Sequence, residues 1–272
     1  MNTVEKIADR TRRTAFLAAK NLYWKARPGA TNRQLHLFVA GVQRSGTNML
    51  MDILEKSWVI DAYHERDERA FDNYKMRELP VIEGLASASP FPVFAIKSLF
   101  ELQDLPGLME HFPPAKALWI VRDYNDTVNS TLKSFSRNLV ERINRAVKPG
   151  STEWLGAGMS DATRELFSPY VHPNMEPADA AALQWYMRNV LFFEMSFDGN
   201  PDVLAIAYEK LVTEPKQEIK RICEFIDVPY VPRLSRGIFS SSIGKRQKPE
   251  LLPEVRALCD GLKERFTPLT TP

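Results

Sequence analysis

The sequence predicts a three-layer α/β/α protein in which helices cover both faces of a central, mostly parallel sheet. Three observations lead there. Short apolar runs of strand length alternate with longer stretches of helical period, the pattern of repeated βαβ units. The first such run, with Leu35, Leu37, Phe38 and Val39, is cut off by Gly41 and turns tightly into a helix, where Met49, Leu50, Ile53 and Leu54 fall at helical spacing. Finally, 272 residues with 44% hydrophobic side chains suffice for one large core and demand no second.

Residues 1–34 read as a basic helical leader. Eight Lys and Arg side chains stand there against Glu5 and Asp9, a local charge of +6, which leaves −4 for the rest of a chain whose net charge is +2. So small a total gives no global field for nucleic acid. Val4, Ile7, Ala8, Ala15, Leu17, Ala18, Leu22 and Tyr23 form an imperfect apolar stripe that stops before Arg27-Pro28-Gly29. Such a helix either docks on its own domain or makes peripheral contact with a membrane surface or partner. Two cysteines, Cys223 and Cys259, exclude a disulfide scaffold and fit a reducing compartment. With no apolar stretch of spanning length and no signal-peptide core, the expected location is cytoplasmic.

Residues 35–272 read as a single α/β domain. Its first strand runs into Gly41-Val42-Gln43-Arg44-Ser45-Gly46, a Gly-x4-Gly turn that opens a helix. The free amides and positive dipole end of such a helix form an anion cradle, to which Arg44, Ser45, Thr47 and Asn48 add donors. The frame is that of a P-loop with P-loop NTPase-like topology, but Thr47 and Asn48 stand where a nucleoside triphosphatase loop carries Lys and Ser/Thr. The loop's one cation, Arg44, lies inside the turn.

A second strand-like run, Trp58 to Tyr63, ends in His64, Glu65, Asp67 and Glu68, at the sheet edge where open α/β folds bind ligands. Then come a strand ending at Lys97, a short helix over Leu102 to His111, and the strand AKALWIV ending at Val121. The last leads to Arg122-Asp123 and a helix through Lys133. Residues 135–177, rich in Arg, Gly and Pro, have little periodicity after Val147 and are expected to form a helical lid or acceptor-binding insertion. Helical period returns over Asp179 to Phe197, where Trp185, Tyr186, Phe192 and Phe193 read as core. The strand VLAIA leads to Tyr208 and Glu209, an amphipathic helix covers Lys216 to Phe225, and a Ser/Gly/Lys loop precedes the last helix. His36 reads as a sheet histidine, and no His/Cys/Asp spacing suggests a metal site.

Three separated motifs resemble, in order, those of the sulfotransferases that use 3′-phosphoadenosine 5′-phosphosulfate (PAPS). GVQRSGTN resembles their 5′-phosphosulfate loop. LWIVRDYNDTVNS resembles their 3′-phosphate motif, with Arg122 at a strand end and Ser130 two helical turns on. IAYEKLVTEPKQEIKRICEFIDVP resembles the segment that contributes an adenine contact, here Tyr208. The resemblance runs from Leu35 to Phe266 and implies PAPS as sulfuryl donor, a hydroxyl acceptor and no metal. Arg44, Ser45, Gly46, Thr47 and Asn48 would hold the phosphosulfate, Arg122 and Ser130 the 3′-phosphate, and the loop with Ser242, Lys245 and Arg246 the last phosphate contacts.

Aryl and steroid members use a His base in a Lys-Thr-His segment; Lys97-Ser98-Leu99 stands at that place, without the His. The tyrosine and carbohydrate branches use a Glu about twenty residues after the loop cation. That makes Glu65 the first candidate for general base, with Glu68, Asp67 and His64 competing, and points to a carbohydrate or lipid-linked acceptor. A P-loop kinase and a non-enzymatic nucleotide-binding module at membranes are the alternatives.

Overall fold

Successive residues of a strand face opposite sides of its sheet, and here both sides are apolar. Phe38, Ala40, Phe94, Ile96, Ala117 and Trp119 belong to one buried cluster, Leu37, Val39, Val93, Ala95, Leu118 and Ile120 to another. A strand buried on both faces reads as a continuous apolar run, which is why these segments were legible as strands. The computed structural model describes residues 3–27, 34–135, 138–239, 244 and 247–271, with the backbone alone for residues 3–10 and 135.

In order, the elements are α1 (Thr3–Lys25), β1 (Leu35–Gly41), α2 (Thr47–Glu55), β2 (Ile60–Tyr63), β3 (Phe71–Asp72), β4 (Lys75–Met76), α3 (Leu79–Ala88) and β5 (Val93–Ser98). There follow α4 (Leu105–His111), β6 (Ala115–Val121), α5 (Tyr124–Phe135), α6 (Leu139–Ala146), α7 (Asp161–Phe167), α8 (Pro177–Asn189) and α9 (Leu191–Glu194). The chain continues with β7 (Val203–Ala207), α10 (Tyr208–Thr213), α11 (Pro215–Phe225) and α12 (Pro253–Phe266). The main sheet has the order β2-β5-β1-β6-β7 with every pair parallel. All five strands therefore present their C-terminal ends along one edge, with β1 and its turn at the centre.

Among its described residues, the stretch from 135 to 177, read as a helical lid or acceptor-binding insertion, carries two short helices and packs into the core. Leu139, Ile143 and Ala146 of α6, Leu155, and Phe167 of α7 are fully buried beside α8. Arg188 of α8 reaches into this region, donating to the carbonyls of Trp154 (3.3 Å) and Ala157 (3.0 Å). Burial pushes its guanidinium down to about 10, with Glu101 and Asp104 pulling the other way. The hairpin β3–β4 and helix α3 were not expected from the sequence.

The basic helix α1 is docked on α2 and β2. Phe16 packs its ring against Trp58 at 5.5 Å, and Trp24 Nε1 donates to the Trp58 carbonyl at 2.7 Å. Lys20 is buried, its ammonium donating to the carbonyls of Glu55, Ser57 and Ile60 at 3.0, 3.3 and 2.7 Å. Burial pushes this ammonium down to about 8, with Asp61 and Glu55 opposing the shift. Arg13 grips the Glu55 carboxylate with two donors, at 2.5 and 2.9 Å. No helix among the described residues is long and apolar enough to cross a membrane.

Burial pushes the Glu55 carboxyl up, but His64 and Arg13 outweigh it and bring it down to about 2 from an ordinary 4.5. A carboxyl with a depressed folded-state pKa stabilises fully above its unfolded pKa and loses that contribution as pH falls toward the folded one. Glu55→Gln is therefore expected to lower the unfolding midpoint at neutral pH and to converge with wild type between pH 4.5 and 2. Chemical denaturation across pH measures this; a gap independent of pH would contradict the assigned pairing.

Candidate active site

The turn after β1 is built by two close approaches. Gly41 has φ +147°, and a Cβ there would stand 2.5 Å from the Ile120 carbonyl oxygen of β6. Gly46 has φ +105°, and a Cβ there would stand 2.4 Å from Tyr208 Cδ2. Both positions favour glycine for conformation as well as space. Between them Arg44 holds φ +72°, a left-handed conformation that costs free energy in a side-chain-bearing residue and is tolerated where surrounding contacts impose it. Those contacts come from β6 and α5. Arg122 Nη1 donates to the Arg44 carbonyl at 3.3 Å, and Arg44 Nε donates to Ser130 Oγ at 2.9 Å.

The residues of the turn divide their work. Ser45 is buried, and its hydroxyl and amide both donate to the Val42 carbonyl, at 2.7 and 3.1 Å, closing the turn from inside. Thr47 is buried at the start of α2, whose first amides have no acceptor within the helix. Asn48 points along the sheet edge, toward β5.

There it meets Lys97 and Glu65. Lys97 Nζ donates to Asn48 Oδ1 at 2.8 Å and pairs with Glu65 Oε2 at 2.5 Å, while Asn48 Nδ2 lies 3.5 Å from Glu65 Oε1. Lys97 is almost completely buried, and burial pushes its ammonium down, opposed by Glu65 and reinforced by Arg66 and Arg44. The three side chains form a closed triangle, with Asn48 as its link to the turn. Lys97 was not singled out from the sequence as a site residue. Its signal was position: it ends a strand that pairs with β1 in the register Val39 to Lys97, beside the turn.

Of the competing groups, His64 and Asp67 are committed elsewhere. His64 stands 3.3 Å from Glu55 and 4.0 Å from Asp52. Asp67 holds Arg69 with both oxygens, at 2.9 and 2.5 Å. Glu68 is exposed. Of these four, Glu65 is the one that meets Asn48 in the first turn of α2.

At the end of β6, Arg122 pairs with Asp126 one helical turn on, at 3.6 Å, and lies over the Tyr208 ring at 4.5 Å. Tyr208 opens α10, buried beneath Gly46. Asp126 also accepts from the Gly244 amide at 3.1 Å, and Asn129 donates to the Gln247 carbonyl at 3.2 Å, so Gly244 and Gln247 lie beside α5. Ser242, Lys245 and Arg246 lie outside the described residues. Asp123 is engaged by Lys263 at 2.5 Å and by Asn125, and these partners outweigh burial and hold its carboxyl low. His36 lies near the N-terminal end of β1 against Phe112, away from the turn.

A parallel sheet whose central strand turns through an arginine-bearing glycine loop into a helix defines an α/β protein made to hold a phosphorylated group. Residues 34–243 match the family described as Sulfotransferase domain. The chain belongs to that family, and its class of reaction is sulfuryl transfer. It is similar to the sulfotransferase domain of the Synechococcus PCC 7002 olefin synthase, at TM-score 0.57 and 13% identity over 87% of this chain and 97% of that one. The sulfotransferase domain from the curacin biosynthetic pathway gives 0.54 and 14% over 86% and 99%. Mouse sulfotransferase SULT7A1, solved complexed with PAP (adenosine 3′,5′-bisphosphate), gives 0.50 and 18% over 92% and 89%. At these identities the likeness shows the fold. No curated protein matches.

Gly46→Ala tests the close packing of the turn. The new methyl meets the Tyr208 ring at a positive φ, so a loss of about 1–3 kcal/mol in urea denaturation is expected. A neutral or stabilising effect would contradict it.

Proposed function

We propose that this protein transfers the sulfuryl group of PAPS to a hydroxyl of a carbohydrate or lipid-linked acceptor, with Glu65 as general base. The observation that carries the reading is the contact of Glu65 with both Asn48, at the head of the anion loop, and Lys97, buried at the end of β5. That puts a carboxylate beside the site where a phosphosulfate would lie.

The donor fits the residues present. The free amides at the start of α2 and the Arg44 guanidinium suit the 5′-phosphosulfate. Arg122 and Ser130 suit the 3′-phosphate, and Tyr208, stacked under Arg122, lies where an adenine contact is expected. Arg44 and Arg122 are brought to one edge of the sheet, and two guanidiniums that converge there are best satisfied by anions.

In the reaction, the acceptor oxygen attacks sulfur in line with the bond to the 5′-phosphate oxygen. As the new S–O bond forms and the old one breaks, the acceptor proton passes to Glu65 and adenosine 3′,5′-bisphosphate departs. Charge grows on the 5′-phosphate oxygens, where Arg44 and the amides stabilise it; a well-aimed donor in such a position contributes about 3–4 kcal/mol. Lys97, paired with Glu65 Oε2, holds that carboxylate in orientation for the transfer.

Transfer from labelled PAPS, measured beside binding of adenosine 3′,5′-bisphosphate, tests these roles. Glu65→Gln is expected to retain binding while turnover falls about 10²- to 10⁴-fold. Full turnover would move the base to Glu68, Asp67 or His64. Arg122→Ala is expected to weaken the bisphosphate about tenfold or more, through loss of a charge-assisted contact of about 1.5–3 kcal/mol. An unchanged affinity would refute its 3′-phosphate role.

A further inference from the structure

A cavity of about 550 Å³ opens beside the Glu65–Asn48 contact, between α1, α2 and the chain that leaves β2. Glu65 and Asn48 line one wall. The docked helix α1 also lines it, through Arg13, Leu17, Lys20 and Asn21. Among the fourteen described residues that line it, only Leu17 and Ala62 are apolar. Small-molecule pockets are ordinarily walled by hydrophobic and aromatic side chains, so this composition selects against an aryl or steroid acceptor. It offers instead closely spaced donors and acceptors on every side, as a polyhydroxylated group requires.

Much of that polarity is already paired. Arg13 holds Glu55, Arg69 holds Asp67, and Asp61 accepts from Ser89 at 2.8 Å. These pairs fix the wall. Asn21 of α1 and Arg66 next to Glu65 are both exposed and make no hydrogen bond or ion pair with another described side chain. Their polar groups are available to a ligand that enters.

We infer that this cavity is the acceptor site, that it takes a sugar-type polyol, and that α1 is its specificity-determining wall. The inference rests on the reading of Glu65 as general base, because Glu65 is the point at which the cavity meets the reaction. A hydroxyl placed at Glu65 from this cavity leaves the rest of a monosaccharide between α2 and α1, with Asn21 and Arg66 within the lining. Leu17 supplies the one apolar contact on the α1 side, suited to the C–H face of a pyranose ring.

The test uses the full chain, labelled PAPS, and a panel of methyl glucoside, methyl galactoside and trehalose against 2-naphthol and 4-nitrophenol at equal concentration. Two variants accompany it: Leu17→Trp, which fills the cavity, and Asn21→Leu, an exposed change that leaves the docking contacts intact. Transfer to the glycosides is expected in preference to the phenols. In both variants the glycoside KM is expected to rise about tenfold, with affinity for adenosine 3′,5′-bisphosphate unchanged. Preference for the phenols, no transfer to any glycoside, or wild-type glycoside KM in both variants would overturn the inference while bisphosphate binding stays intact. Failure of the wild-type chain to bind the bisphosphate would overturn the donor reading, and this inference with it.

Discussion

Lys97 is a buried ammonium at the end of a buried strand, and much of the site follows from its need for partners. An unpaired charge in that position would cost several kcal/mol. Two of its three donors are met, by Glu65 from the end of β2 and by Asn48 from the first turn of α2. Satisfying Lys97 therefore locks three segments together across the sheet edge. It also orients Glu65, whose other oxygen faces Asn48 Nδ2 at the start of α2. The same pairing that stabilises the edge holds a carboxylate beside the first turn of α2.

Parallel strand order turns that local arrangement into a complete site. Because β2, β5, β1, β6 and β7 all run the same way, each delivers its next residues to the same edge. From β2 comes Glu65, from β5 Lys97, from β1 the turn with Arg44, from β6 Arg122 and from β7 Tyr208. Backbone contacts then tighten the set: Arg122 holds the Arg44 carbonyl, Arg44 reaches Ser130, and Tyr208 fills the space that Gly46 leaves open. This explains why the turn tolerates a non-glycine residue at positive φ. Arg44 is held from both its carbonyl and its side chain by a neighbouring strand and helix.

The fold was legible wherever a strand is buried on both faces and wherever glycine is forced by close approach. The runs ending at Val39, Lys97 and Val121 could be read directly, and so could the turn from Gly41 to Gly46. Glu65 was found from its spacing after Arg44 within a family resemblance. Its partner Lys97 was not, because the pairing of β5 with β1 is a matter of register between segments some sixty residues apart. Docking of α1 on its own domain was one of the two readings of the leader, but its anchor was hidden: a lysine satisfied by three backbone carbonyls, which no side-chain pattern announces. The β3–β4 hairpin escaped notice because its turn places Asn73 and Tyr74 at positive φ without the usual glycine. Helix α6 shows Leu139, Ile143 and Ala146 at helical spacing, but the glycines and prolines that follow obscured it.

Docking of α1 changes what the basic leader does. Arg13 and Lys20, counted in the sequence as part of a positive segment, are spent on Glu55 and on the carbonyls around β2. The helix thereby becomes a wall of the cavity beside Glu65. In the proposed reading, the donor edge and the acceptor cavity meet at that carboxylate. The central claim is that the loop and β6 together recognise a nucleotide by its two separated phosphates. Calorimetric titration with adenosine 3′,5′-bisphosphate and, separately, with ATP and magnesium tests it most directly. The account predicts tight binding of the bisphosphate and markedly weaker binding of ATP; tight ATP binding with no preference for the 3′-phosphate would contradict it.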